Sequence, residues 1–269
     1  MKDTVSVFVI ATKVYLSYAV EMIKSSNNIS TRDFDLQFIL LTDQVSLAKT
    51  LIPEQNGIEV VFAQIESFGW PEATLFRFAL MSEHWSKVSG SIVMYVDADT
   101  QFVSSFNYND LLHQADSSGS GMTLVRHPGY FNRSILLNLM FVFPLASFLP
   151  WKIRKADSLM PWETRRRSSA YVPMRKRSAY VCGGVYWGKK QAFYDLCKEL
   201  SSSVITDEQN GIRAKHNDES HLNKWKSKYG ATLATPAWAF ASNYRNLRDI
   251  TPIIEVVHKP LNFERQPSN

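Results

Sequence analysis

Ile92-Val93-Met94-Tyr95-Val96-Asp97-Ala98-Asp99 is the stretch that decides how this chain folds. Five consecutive apolar residues read as a strand buried on both faces, as in a parallel sheet covered by helices. The run stops abruptly on two carboxylates. In an extended segment residues i and i+2 project to the same side, so Asp97 and Asp99 are placed to face one cation. Carboxylate oxygens suit Mg²⁺ or Mn²⁺, which bridge the oxygens of a diphosphate. A solvated strand end is the bland alternative, and the commoner one for an isolated D-x-D. The apolar run ahead of it shifts the balance toward function.

Outward from this run the pattern repeats. Val5 to Thr12 is a β-branched strand, and Val14 to Ser25 has helical spacing with Leu16, Ala19, Val20 and Ile23 on one side. Leu36 to Leu41 and Ile58 to Ile65 read as further strands. Pro71 stands where a proline opens a helix, expected to run to about Lys87. This rhythm predicts an α/β fold, a mostly parallel sheet with helices on both faces. Ligands of such sheets bind beyond the carboxyl ends of the strands, which singles out Ala11-Thr12, Thr42-Asp43 and Asp97-Ala98-Asp99. Downstream the pattern is less regular. Strands are expected at Thr123 to Arg126 and Tyr180 to Trp187, helices at Lys190 to Ser201 and from Asp218 to about Lys228.

The 269 residues, 45% hydrophobic and 20% charged, suit one soluble α/β domain or two intimately packed halves. Cys182 and Cys197 fall in different predicted elements and give no disulfide framework, which fits a reducing cytoplasm. The start MKDTVSVFVIAT runs straight into a strand, with no secretory pattern or long apolar span, so a cytosolic approach to the substrate is expected. The net charge of +5 is concentrated: Lys152 to Arg177 holds nine Lys/Arg and two Asp/Glu, a net +7, leaving −2 for the remainder. Basic and aromatic residues are not interleaved over a whole face, so no nucleic-acid partner is expected. A local contact with phosphate or an anionic membrane is more natural.

His216-Asn217-Asp218-Glu219-Ser220-His221-Leu222-Asn223 is the second constellation. As local structure, Asn217 or Asp218 caps a helix and Glu219 sits in its first turn, where the dipole favours negative charge. Zinc held by His216 and His221 is disfavoured, because five residues apart is poor same-face spacing on a helix. The functional reading is an acid at a pocket floor that meets positive charge developing on a sugar carbon.

NDESHLNKW (217–225), together with the apolar strand into DAD, resembles the family 6 glycosyltransferases, the group of the histo-blood group A and B transferases. Similar pieces keep their order from about Val7 to Lys259: VIATKVYLSYAVEMIKSS (9–26), LLTDQ (40–44), GWPEATLFRFALM (69–81), RHPGYFNR (126–133), WETRRRSSAYVP (162–173), Gly183-Gly184 and NGIRAKHNDESHLNKW (210–225). The resemblance implies a GT-A fold with one catalytic domain over 1–269: a nucleotide-binding half to about 125, an insertion at about 134–160, and an acceptor and catalytic half from about 161. It also implies transfer of galactose or N-acetylgalactosamine from UDP-galactose or UDP-N-acetylgalactosamine with retention, usually as an α1,3 linkage to a β-galactoside of a glycan or glycolipid. Carried over by position, Ile10, Thr12 and Tyr15 embrace the uridine, and Arg77 and Ala98 contact the donor. Lys259 and Arg265 close over the diphosphate, and Asp97 and Asp99 hold Mn²⁺ or Mg²⁺. Asp218 bonds sugar hydroxyls, and Glu219 is the nucleophile or the stabiliser of an oxocarbenium ion. His127 contacts the acceptor, while Cys182, Gly183 and Gly184 match the stretch that separates the two donors.

The chain departs from the family pattern in places. His216 stands where an acceptor-stacking tryptophan is usual, and Ala241 where an acidic acceptor contact is usual. Gly184 has no side chain to crowd an N-acetyl group, which leans toward N-acetylgalactosamine. Many bacterial relatives carry asparagines in place of the two aspartates, so the acidic pair here implies metal dependence. The start lacks the membrane anchor of the vertebrate enzymes, which suggests a microbial or viral origin. SILLNLMFVFPLASFLPW (134–151), followed by KIRK, is too short and broken to span a bilayer. It reads either as an interfacial segment, with peripheral contact to the inner membrane face through 134–177, or as a lid or core helix pair broken at Pro144. Two other classes are weighed for the whole chain. A non-catalytic carbohydrate- or membrane-binding module would free the acidic set to drift. A phosphohydrolase needs further His/Asp ligands for a second metal.

Overall fold

The computed structural model describes residues 2–29, 33–69, 71–131 and 161–259; the expected insertion at 134–160 and Arg265 lie outside the described residues. The continuous apolar runs form β1 (Asp3–Ile10), β2 (Phe34–Thr42), β3 (Ile58–Gln64) and β4 (Ile92–Val96). They pair in parallel in the order β3-β2-β1-β4. β7 (Val181–Lys189) runs antiparallel beside β4 and beside β6 (Met122–Arg126), and β8 (Thr232–Ala234) pairs in parallel with β6. Four of the six pairings in this seven-stranded sheet are parallel. β5 (Thr100–Phe102) and β9 (Ile254–Val256) form a separate antiparallel ribbon.

Alternate side chains of a buried strand serve opposite faces, and β1 does so. Val5, Val7 and Val9 join the cluster under α1 (Tyr15–Ser25) and α5 (Tyr108–Asp116), with Met94 and Trp187. Phe8 and Ile10 join the opposite cluster, with Phe78 and Met81 of α4 (Arg77–Glu83) and Phe193 and Leu196 of α6 (Lys190–Gln209). Burying side chains of this size contributes roughly 1.5–3 kcal/mol each. Two apolar layers on one sheet fix its position, and its carboxyl ends are left for chemistry.

Three expectations change on inspection. The helix expected from Pro71 to Lys87 is broken into α3 (Glu72–Leu75), α4 and a 3₁₀ turn (Trp85–Lys87). Phe76, at φ −89° and ψ 3°, makes the first break, and the Thr74 carbonyl accepts from Arg77 Nε. The helix expected to end at Ser201 runs on to Gln209, because Val204 and Asp207 pack inward despite the serine run. The Asp97-Ala98-Asp99 segment is a turn joining β4 to β5 rather than extended strand, with Thr100 Oγ1 donating to the Asp97 carbonyl at 2.8 Å. The same-side argument from strand periodicity therefore fails there.

The loop from Trp162 to Pro173 is tied down through its acid. Glu163, 1% exposed, accepts from the backbone N, Nε and Nη2 of Arg165 and from the backbone N of Lys215. Asp207 accepts from Ser168 Oγ and Ser169 N, both at 2.6 Å. Lys215 lies just before α7 (Asn217–Tyr229), so this loop and the start of α7 share one buried carboxylate. Among the described residues no helix is long and apolar enough to cross a membrane.

Candidate active site

β1 is followed by β2 on one flank, whereas β4 takes the other flank. Crossovers leaving in opposite directions open a crevice at the carboxyl ends of such a pair. Ile10, Thr12 and Asp97 finish its two walls. Because β7 is antiparallel to β4, its opening residues come to the same end: Val96 pairs with Val185, and Asp97 N donates to Gly184 O at 2.8 Å.

Arg77 organises the crevice. Its side chain is 4% exposed, and Nη1 donates to Gly183 O at 2.7 Å. Nη1 also lies 3.4 Å from Asp97 Oδ1, while Nε lies 3.3 Å from Asp218 Oδ2. The guanidinium covers the Tyr95 ring at 4.5 Å, a cation–π contact. Burial opposes its charge, but Asp218, Tyr95 and Asp97 more than offset this and keep it protonated. Tyr95 in turn donates its hydroxyl to Asp97 Oδ1 at 2.8 Å. The Asp97 carboxyl is raised by burial; Arg77 opposes the shift and Asp99 adds to it, so the two aspartates feel each other across the turn.

Asp99 is held separately. Lys259 Nζ approaches its Oδ2 to 2.6 Å and donates to the Tyr15 hydroxyl at 3.1 Å, above the Tyr15 ring. Burial alone would lower this ammonium, and Asp99 and Tyr15 reverse that to a net rise. Thr12 is buried and donates to Phe68 O at 2.8 Å, Ile10 is 8% exposed, and Ala98 is enclosed in the turn. Thus Ile10, Thr12, Tyr15, Arg77, Asp97, Ala98, Asp99 and Lys259 come to one end of the sheet.

Gly183 and Gly184 are required by close approach rather than by unusual backbone. A Cβ on Gly183 would meet Asp218 Oδ2 at 2.9 Å, and one on Gly184 would meet Asp97 Oδ2 at 2.8 Å. Gly184 therefore makes room for Asp97, whatever it does for a donor sugar. Cys182 is buried and its thiol is pushed up to about 12 by burial and by Glu219, so it stays protonated.

α7 brings the second acidic pair. It opens at Asn217, which has φ 44° in the left-handed region that asparagine tolerates, and His216 rather than Asn217 or Asp218 is the cap residue. Glu219 Oε2 accepts from Gly183 N at 3.0 Å. The Tyr180 hydroxyl is buried against the Glu219 carboxylate without a hydrogen bond of standard geometry. Burial raises Asp218 to about 6, with Arg77 opposing and Asp97 adding. Burial and the Asp218 charge raise Glu219 to about 8.

A carboxyl raised above its unfolded value binds a proton more tightly in the folded state. The contribution is favourable at low pH and is lost as pH rises through the folded value. The contributions of Asp218 and Glu219 should therefore be lost between about pH 5 and 8, and Glu219→Gln should remove much of that downward slope. Thermal unfolding at pH 8 should show the variant more stable, by about 1–2 kcal/mol. An unchanged pH slope in the variant would contradict the assignment.

Ring contacts cluster on the other side of Glu219. Tyr180 lies 5.3 Å from Tyr130, 5.7 Å from Trp162, 5.9 Å from His127 and 6.3 Å from His216, centroid to centroid. His127 Nδ1 accepts from Gly129 N at 3.0 Å, which orients its ring. His221, by contrast, is buried against Ser203 and Asp207, away from His216, and burial lowers it to about 4. Tyr95 and Tyr180 were not singled out from sequence. Each has a period-two signal: Tyr95 is two before Asp97, and Tyr180 two before Cys182.

Asp97 and Asp99 are the residues that could hold a metal here. Asp97 and Asp99 sense each other's charge and are partnered by cations, and Mg²⁺-type ions take one or two carboxylates plus substrate phosphates. Among the described residues no group of three or more His, Cys, Asp or Glu side chains is placed to hold a metal ion.

Comparison with known proteins matches residues 142–255 to the model of glycosyltransferase family 6. The globoside α-1,3-N-acetylgalactosaminyltransferase 1 of Gallus gallus is 25% identical over 228 residues, covering 82% of this chain and 57% of that protein. The O-antigen biosynthesis glycosyltransferase WbnI of Escherichia coli is 23% identical over 248 residues, 91% of each chain.

This chain is similar to glycosyltransferase family 6.

The histo-blood group ABO system transferase 1 of Rattus norvegicus adds a match of 27% over 125 residues, 46% of this chain and 34% of that protein. The chain spans little more than half the length of the globoside transferases it matches, at 57% and 56% for the chicken and mouse proteins. Its sheet, with helices on both faces, is of the GT-A type.

Proposed function

We propose that this chain is a family 6 glycosyltransferase that transfers galactose or N-acetylgalactosamine from a UDP-sugar to a glycan or glycolipid acceptor. Retention of configuration and an α1,3 linkage to a β-galactoside are part of the reading. The observation that carries it is Arg77, one buried cation shared by the strand-end carboxylate Asp97 and the helix-start carboxylate Asp218 across Gly183. Such an arginine would hold a diphosphate site and a sugar site at fixed separation.

Ile10, Thr12 and Tyr15 would bind the uridine, and Lys259 would move from Asp99 to the diphosphate. Asp97 and Asp99 would hold Mn²⁺ or Mg²⁺, which when bound neutralises charge on the departing diphosphate. Asp218 would accept from sugar hydroxyls. Glu219, oriented by Gly183 N, would present its carboxylate to the sugar carbon, bonding it or stabilising its positive charge. That developing charge favours the ionised acid, so activity should rise from about pH 6 toward 8. His127, His216, Trp162 and Tyr180 would receive the acceptor, with ring faces offered to apolar sugar faces.

We place the whole chain in one catalytic domain, working from the cytoplasm. The test is UDP release from both donors, with Mn²⁺ or with EDTA, over a panel of β-galactosides. Turnover untouched by EDTA would remove the metal, and no turnover with any acceptor would favour a binding module.

A further inference from the structure

One side of the acceptor region carries cations that no carboxylate offsets among the described residues. Six Lys/Arg lie between Arg165 and Arg177, against Glu163 alone. Glu163 is buried and saturated by Arg165 and Lys215, so it neutralises none of the others. Arg166, Arg167, Arg175 and Lys176 are exposed, and no carboxylate pairs with them among the described residues. Arg177 is turned away, bonded to Val172 O and set over Trp162.

The fold adds more positive charge to this segment. Lys226, buried in α7, donates to Ser178 Oγ at 2.9 Å and to Ala179 O, which fastens the 174–179 stretch onto that helix. Lys176, next to Arg175 in this turn, is thereby brought within reach of the charge of Lys224, whose neighbour at i+4 on α7 is Lys228. Lys228 is paired with Glu199, whereas Lys224 has no acidic partner among the described residues. The Lys224 ammonium is pushed down by partial burial, then by Lys176 and Lys228, as expected of cations crowded without an anion. Met174, an exposed apolar residue, sits in the same turn. Tyr180, against Glu219, follows directly.

We propose that Arg175, Lys176 and Lys224 form a docking surface for the phosphates of an anionic lipid bilayer, beside the acceptor side of the cleft. Lipid headgroups present many phosphates in one plane, matching cations spread over an exposed turn and a helix flank. A lipid surface so placed would deliver an acceptor whose glycan is anchored in it. This last clause rests on the transferase reading; the docking itself does not.

The experiment is co-sedimentation of the full chain with vesicles of phosphatidylcholine, with and without 30% phosphatidylglycerol (about one lipid in three, so that each contact finds a charge). Binding should require the anionic lipid and fall steeply as salt shortens the screening length. The triple variant Arg175→Glu/Lys176→Glu/Lys224→Glu should bind at least about tenfold more weakly. UDP release with a soluble acceptor should be unchanged in it, which shows that it folds. Equal binding to neutral vesicles, undiminished binding by the variant, or retention on heparin without vesicle binding would each overturn the proposal. Failure of UDP release in the wild type would instead count against the transferase reading alone.

Discussion

Glu219→Gln should cut sugar transfer by on the order of 10³ while leaving UDP-sugar binding within a few-fold of the parent. Glutamine keeps the length and an oxygen for Gly183 N, so the bond that orients position 219 survives. What it removes is the anion. If the carboxylate acts only on positive charge that appears as the sugar leaves, kcat falls and the donor KM does not. A parallel loss of donor affinity would mean that Glu219 shapes the ground-state pocket. Turnover at the parent rate would show that another group meets the sugar carbon, and Asp218, 3.3 Å from Arg77 Nε, would be the first to examine.

Arg77→Leu should do more damage to the fold than any other change in the site. Arginine sits between two carboxylates, donates to Gly183 O and covers Tyr95. Leucine fills part of the space and leaves Asp97 and Asp218 without their buried counter-charge. Stranding buried charge in this way costs about 3–5 kcal/mol. The loss should be largest at pH 8 and smaller at pH 5. Both carboxyls are already raised in the parent, and without Arg77 they take up protons more readily still as pH falls. Arg77→Lys restores the charge but not the planar fork, so stability should return further than activity. Thermal unfolding across pH separates these cases, and a variant as stable as the parent at pH 8 would contradict the central role given to Arg77.

Much of the carboxyl end of the sheet was legible in the sequence. An apolar run ending in Asp97 and Asp99 is a local signal, and the parallel sheet behind it places that end in a crevice whatever the family. The physical route was partly misread. The two aspartates meet across a turn, each held by a different cation, rather than along an extended strand. Glu219 was a different matter. Its periodicity says only that it begins a helix, and the resemblance of the surrounding residues is what marked it for chemistry. Its bond to Gly183 N is a contact between positions 36 apart that no local pattern encodes.

Other features escaped because they are made by tertiary contact. The break at Phe76 is invisible to helical periodicity, yet it frees the Thr74 carbonyl that receives Arg77. The helix expected to end at Ser201 is carried on to Gln209 by burial of Val204 and Asp207. Gly184 was read for what it leaves open to a donor sugar, whereas its missing side chain makes room for Asp97. The ring cluster about Tyr180 draws on four separate segments, so its existence was hidden even though His127 and His216 had been noticed.

The central claim is that one crevice, spanned by Arg77, holds a UDP-sugar between Asp97 and Asp99 on one side and Asp218 and Glu219 on the other. Release of UDP from UDP-galactose and UDP-N-acetylgalactosamine, in the presence of a β-galactoside, tests this most directly. The prediction is turnover with Mn²⁺ that EDTA abolishes and that Asp97→Asn/Asp99→Asn does not recover when Mn²⁺ is restored. Turnover at the parent rate in EDTA, or in the double variant, would contradict it.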